Sequence, residues 1–342
     1  MTSVSYSQNR EDILLARAFP QDYVGFYVDV GAWLPDTDSV TKLFYDRGWS
    51  GLNVEPGRHA FSELVRQRTR DINLPVAVAE NAGEATFYEY NEAFAGRSTL
   101  DGELAGQYGE EGFEAESYTV TVTTLSDIFE EHVGERVVDF LKIDVEGNEE
   151  AALRGADFTR FRPRIVIVEA TEPGNSAPAH ESWEPLLLEA GYRFVIFDGL
   201  NRVYVDAPES ALMNSLAIPV NVFDEFEPIA TVQLQTTLAA THRHASHLEG
   251  EIERLQDEND RYVDALNDER GRRAELERSG NTARTVVADL RAYLEASEAA
   301  RIRILDHLDD TRQALAATER ELSALRSSPL GRLLFSVQKR RL

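Results

Sequence analysis

Phe26-Tyr27-Val28-Asp29-Val30-Gly31-Ala32-Trp33 is the stretch whose reading decides the fold. Its first five residues are β-formers interrupted by one acid, which predicts a strand ending beside Asp29. Gly31 opens the turn at which the chain must reverse into a helix. Val40, Leu43 and Phe44 give that helix an apolar face, Asp36 or Asp38 can cap it, and Gly48 lies near its end. A second strand follows and terminates in Glu55. That is roughly the 20-residue spacing at which an acid meets ribose hydroxyls in nucleotide-binding folds.

Outward from this point, short β-rich runs alternate with helical patterns to about residue 206, the signature of an α/β domain with a mostly parallel sheet. Strands are predicted at 26–30, 51–55, 74–79, 137–144, 164–169, 192–197 and 202–205. The last two are separated by Asp198, Gly199, Leu200 and Asn201, which is hairpin spacing. Five crossover-type strands closed by an antiparallel hairpin outline a Rossmann-like sheet of seven strands. Between residues 87 and 122 the pattern breaks into Gly- and Glu-rich sequence, read as a loop insertion suited to a lid or recognition segment.

The turn G-A-W-L-P-D at 31–36 keeps one glycine of the G-x-G-x-x-G pattern. A pyrophosphate needs bare backbone close to it, and Trp33 and Pro35 crowd that approach. S-adenosylmethionine carries no phosphate and tolerates a bulkier turn, so the reading moves from a nicotinamide cofactor toward it. A carboxylate at Glu55 can accept both ribose hydroxyl protons. A second cluster, L-K-I-D-V-E-G-N-E at 141–149, places Asp144 and Glu146 at the end of the fourth core strand, where parallel α/β sheets form their ligand crevice. These carboxylates could steer a sulfonium, deprotonate a hydroxyl or hold a divalent metal, whereas Lys142 and Glu149 could form plain ion pairs. Glu169 ends the next strand and is a further candidate on the substrate side, and His180 lies in a loop.

Seven segments in order carry a family resemblance. They are S-Q-N-R-E-D at 7–12, V-D-V-G-A at 28–32, G-W-S-G-L-N-V-E-P at 48–56, S-T-L at 98–100, I-D-V-E-G at 143–147, R-P-R at 162–164 and F-D-G-L-N-R-V-Y-V at 197–205. Over about residues 5–206 the chain resembles the FkbM family of S-adenosylmethionine-dependent methyltransferases. The resemblance implies a Rossmann-like methyltransferase fold and O-methylation of hydroxyls on sugars or natural products. It also implies that Asp29, Gly31 and Ala32 bind the methionine part, that Glu55 binds the ribose, and that Asp144 lies near the transferred methyl group.

Of the net charge of −25, about −24 falls on residues 1–230, which argues against a nucleic-acid substrate. There is no cysteine, so disulfides and thiolate chemistry are excluded. Neither a signal-peptide pattern nor a run of about 18 apolar residues appears, and the expected protein is cytoplasmic.

Beyond residue 231 a 3.5-residue apolar repeat begins at Leu234 and holds for about thirteen heptads, predicting a long coiled coil on the order of 130 Å. Asn259 on the seam favours a dimer. Glu269, Arg273 and Gly280 weaken the middle, and the competing arrangement is a folded-back hairpin turning near Ser279 to Asn281. The expected divisions are a methyltransferase domain at 1–215, a linker at 216–230, the coiled coil at 231–326 and a basic amphipathic tail at 327–342. The tail could meet an anionic membrane surface at the inner face or a partner such as a glycosyltransferase. The leading expectation is methylation of a hydroxyl on a saccharide, a glycolipid precursor or a small natural product. The alternative is a tethering protein of a glycan-assembly complex with a methyltransferase-like docking domain.

Overall fold

A computed structural model describes residues 3–90, 97–277 and 284–327. The chain divides into two compact units, Met1–Phe226 and Glu227–Leu342.

The first unit begins β1 (Ser3–Ser5), α1 (Glu11–Ala16), β2 (Phe26–Val30), α2 (Lys42–Asp46), β3 (Ser50–Val54), α3 (Arg58–Gln67) and β4 (Ile72–Leu74). It continues with β5 (Ala77–Val78), β6 (Gly83–Tyr90), α4 (Gly102–Glu110), β7 (Ala115–Thr123), α5 (Leu125–Ile128) and a π-helical turn, Phe129–Val133. It closes with β8 (Phe140–Ile143), α6 (Glu149–Arg154), β9 (Ile165–Glu169), α7 (Glu184–Glu189), β10 (Tyr192–Phe197), β11 (Asn201–Asp206) and α8 (Ser210–Leu216).

The central sheet has the order β10-β11-β9-β8-β2-β3-β4. From β4 to β9 the pairs are parallel, and β11 runs antiparallel to both β9 and β10. The chain leaves β2 toward β3 and returns on its other side as β8, so a crevice opens at the carboxyl ends of these strands. Both faces are covered. Val28, Val30, Leu141, Ile143, Val166 and Val168 pack with Leu125, Phe129, Leu153 and Trp183. On the other face Tyr27, Phe140, Ile165, Ile167 and Val203 pack with Leu14, Phe44, Trp49 and Leu216. That two-sided burial explains why the strands read as apolar runs rather than alternations.

Several expectations are revised. The strand expected at 74–79 is two strands. β4 ends before Pro75, which has no N–H to donate, and β5 joins a separate sheet of order β5-β7-β6. The insertion expected as loop is a hairpin, with β6 and β7 paired antiparallel from Gly83↔Val122 to Tyr90↔Ala115. It buries Phe87, Val120 and Val122 against Ala77. Between its strands lies α4, whose first amides Glu103 N and Leu104 N donate to Asp101. Neither Asp36 nor Asp38 caps α2: that helix begins at Lys42 after Thr41, and Asp38 sits at φ 50° in the preceding loop.

In the second unit α9 (Ile229–Glu277) and α10 (Arg284–Ser327) pack against each other. Tyr262 and Tyr293 meet at 2.9 Å through their hydroxyls, the His244 and His307 rings lie 5.7 Å apart, and Glu249 pairs with Arg312 at 3.3 Å. Those pairings run antiparallel, so within this chain the two helices pack against each other where one continuous helix was expected. With 49 residues, α9 is about 74 Å long. Ala245, Leu248, Leu308 and Leu322 are buried in the seam. Gly280, the turn expected near 279–281 and the basic segment 328–342 lie outside the described residues. Among the described residues no helix is long and apolar enough to cross a membrane.

Candidate functional site

A cavity of about 580 Å³ lies at the carboxyl ends of the central strands. Gly31, Trp33, Glu55 and Val76 line one part, and Asp144, Glu146, Glu169 and Thr171 another.

The turn after β2 sets the first part. Gly31 N and Ala32 N both donate to Val54 O, at 3.0 and 3.2 Å, which ties the turn to β3. Gly31 has φ +78°, and a Cβ there would lie 1.7 Å from Asp144 O. Glycine is therefore required on two grounds, conformation and closeness to β8. Trp33 follows at φ 52° and its N–H donates to Glu55 Oε2 at 2.9 Å. Gly57 N donates to Glu55 Oε1 at 2.7 Å. Both carboxylate oxygens are thus aimed by backbone donors, and each retains a lone pair for a ligand. Burial raises the Glu55 pKa to about 7 against the pull of those two donors.

Asp29 and Ala32 do not line the cavity. Asp29 shares a register level with Asn53 and Lys142 and turns into the layer beneath the sheet. There it accepts from Thr41 Oγ1 at 3.1 Å and faces Lys142 Nζ at 3.7 Å. Asp29 thus packs beneath the turn, and neither it nor Ala32, both expected to bind the methionine part, is among the residues that line the cavity. Arg68, a residue with no signal in the sequence, does similar work. Buried at the end of α3, it donates to Pro35 O at 3.0 Å and to Ser39 Oγ at 2.9 Å, fixing the loop that leads into α2.

The second part is acidic. Lys142 Nζ reaches Asp144 Oδ2 at 3.1 Å and also contacts Gly31 O at 3.4 Å, so one buried ammonium joins both parts of the site. Burial opposes its charge, but Asp144 and Asp29 outweigh that and raise its pKa. Glu149 does not pair with Lys142. Its Oε1 accepts from Val145 N at 2.9 Å and Gly147 N at 3.3 Å and shapes the loop after β8. Glu146 stands at φ 51° in that loop, and Thr99 Oγ1 donates to its carbonyl at 2.9 Å. Burial, then the neighbouring Asp144, push Glu146 and Glu169 well above the ordinary carboxylate range. Glu169 Oε2 is buried without a hydrogen-bond partner in the structure. Asp144, Glu149 and Glu169 each offer an oxygen within 4.8 Å of the others, a donor set that could hold a divalent cation.

His180 lies 3.9 Å from Glu184 and does not line the cavity. Residues with no role assigned from the sequence also line it, among them Gln8, Arg97 and Tyr108. Arg97 stacks its guanidinium on the Phe113 ring at 3.9 Å.

Residues 29–194 match the methyltransferase FkbM domain. A comparison with curated proteins gives no match.

Proposed function

Residues 29–194 being a methyltransferase FkbM domain, we propose that this methyltransferase uses S-adenosylmethionine to methylate a hydroxyl of a saccharide, a glycolipid precursor or a small natural product. The observation that carries this reading is Glu55, buried at one side of the cavity with both oxygens pre-aimed, opposite the acids of β8 and β9.

The donor set fits that cofactor. Apolar Val54, Val76 and Phe87 line the same cavity as Glu55 and offer the surface a nucleoside base requires. Trp33 fills the place of a phosphate-binding glycine, and a lining with Asp38, Asp144 and Glu172 favours a cation over a polyphosphate. Bound S-adenosylmethionine would supply an electrophilic methyl group on a sulfonium. Glu55 would accept the ribose hydroxyls, and Gly31 would leave room for the amino-acid part. Asp144 and Glu146 would face the acceptor oxygen, which must lie near 3 Å from the methyl carbon and in line for transfer. Glu146, holding its proton at neutral pH, would orient that oxygen as a donor. Asp144, beside Lys142, would take the hydroxyl proton.

Titration calorimetry with S-adenosylhomocysteine tests the cofactor step. Wild type should bind, and Glu55→Gln should weaken binding about 10- to 100-fold. No heat from wild type, or full affinity in the variant, overturns the reading. Asp144→Asn should keep that affinity and slow transfer by about 10²-fold or more. If EDTA stops transfer but spares S-adenosylhomocysteine binding, the carboxylates of Asp144, Glu149 and Glu169 act through a cation instead.

A further inference from the structure

We propose that Gln8 is an acceptor-binding residue, whose side-chain amide hydrogen-bonds a hydroxyl of a neutral polyhydroxy substrate. The inference rests on the methyl-transfer reading above.

Gln8 belongs to the S-Q-N-R-E-D segment, which precedes the matched region 29–194 and takes no part in the steps derived above. The segment is a tightly built turn. Asp12, fully buried, accepts from Ser5 Oγ at 2.8 Å, Ser7 Oγ at 2.7 Å, Tyr6 N at 2.7 Å and Ile13 N at 2.8 Å. Glu11, also buried, accepts from Asn9 N at 3.0 Å and from Asn201 Nδ2 at 2.7 Å. Asn9 Nδ2 donates to Asp198 O at 3.3 Å, and Arg10 Nη1 donates to Gln8 O at 2.6 Å. Every neighbour of Gln8 in this segment is engaged through its side chain. Among the described residues no hydrogen bond is formed by the Gln8 amide, and Gln8 lines the cavity. Burying two carboxylates is costly, and the turn they build holds Gln8 against the cavity.

Its place relative to the sheet says which ligand it meets. Asn9 and Glu11 fasten the turn to the β10–β11 connection at Asp198 and Asn201, beside Leu200, which also lines the cavity. In the sheet order β11 stands four strands from β3 and Glu55, on the order of 19 Å at 4.8 Å per strand. Glu55 takes the nucleoside end, and the carboxylates of β8 and β9 lie between. Gln8 therefore faces the acceptor. An uncharged amide offers donor and acceptor together, which suits a hydroxyl that must both give and receive a hydrogen bond.

The test uses the full chain, S-adenosylmethionine labelled in its methyl group, and a panel of neutral methyl glycosides. Gln8→Ala should raise the KM for the best glycoside about tenfold. S-adenosylhomocysteine affinity should stay within about twofold and the melting temperature should not move, because no bond of the turn uses the side chain. Asp12→Asn, which loosens the turn itself, should lower the melting temperature and raise the same KM. An unchanged KM in Gln8→Ala overturns the inference, and so does an equal loss of S-adenosylhomocysteine affinity. Wild type that binds S-adenosylhomocysteine but labels no glycoside overturns the neutral polyhydroxy class. Wild type that does not bind it brings down the methyl-transfer reading first, and the inference with it.

Discussion

At the scale of single residues, burial moves the proton affinity of several carboxyl groups in and near the site in one direction. Burial raises Glu149 to about 6 and Glu11 and Glu55 to about 7, and it carries Glu146 and Glu169 higher still. A carboxyl whose folded pKa exceeds its unfolded one binds its proton more tightly in the folded chain. Its contribution to stability is complete below the ordinary carboxylate range and is lost as pH rises through the folded value. The melting temperature should therefore fall between about pH 5 and about pH 9, and Glu169→Gln should flatten that fall. An equally steep fall in the variant would show that Glu169 does not carry it. Gly31→Ala is the steric counterpart. The added carbon meets Asp144 O at 1.7 Å, so thermal melts should show strong destabilisation and S-adenosylhomocysteine binding should be lost. The sequence identified Gly31 and Glu55 because strand, turn and spacing are local properties. It could not place Asp29, because a strand buried on both faces does not say which face a lone acid joins. Gln8 and Arg68 were hidden for another reason, since each owes its position to partners far along the chain.

At the scale of elements, the central strands were legible because their apolar runs are long and separated by crossovers. The β6–β7 hairpin was obscured by its partly exposed face, where Thr119, Thr121 and Glu84 break the apolar signal although Val120 and Val122 alternate with them. The helical repeat was legible as a repeat, but its pairing was not. A heptad pattern keeps its register whether the helix continues or folds back on itself. The absence of cysteine makes the distinction easy to measure. Tyr262→Cys with Tyr293→Cys should be joined within one chain by a short bis-maleimide cross-linker, because these side chains meet across α9 and α10. A covalent dimer on a denaturing gel would favour the extended oligomer instead. Leu308→Ala, at a buried seam position, should cost the helical pair about 2–3 kcal/mol, read as a lower midpoint in helix-monitored denaturation.

At the scale of the whole molecule, the cavity and both apolar layers lie within the first compact unit. A chain cut after Pro228 should therefore fold and bind S-adenosylhomocysteine with the affinity of the full chain, and a large loss would give the helical pair a share in the site. The bonds from the 7–12 turn to Asp198 and Asn201 span 189 and 190 residues. During synthesis the bonds of the turn to Asp12 can form early, but its attachment to the sheet waits until Asp198 and Asn201 have left the ribosome. A nascent chain halted at β9 would already carry Glu55 and Asp144 but not the seat for Gln8. Loop closure over such a distance is slow compared with pairing neighbouring segments. Cofactor binding should thus mature earlier on the ribosome than acceptor binding, because the turn that carries Gln8 is fastened to the sheet only after Asn201 has been made.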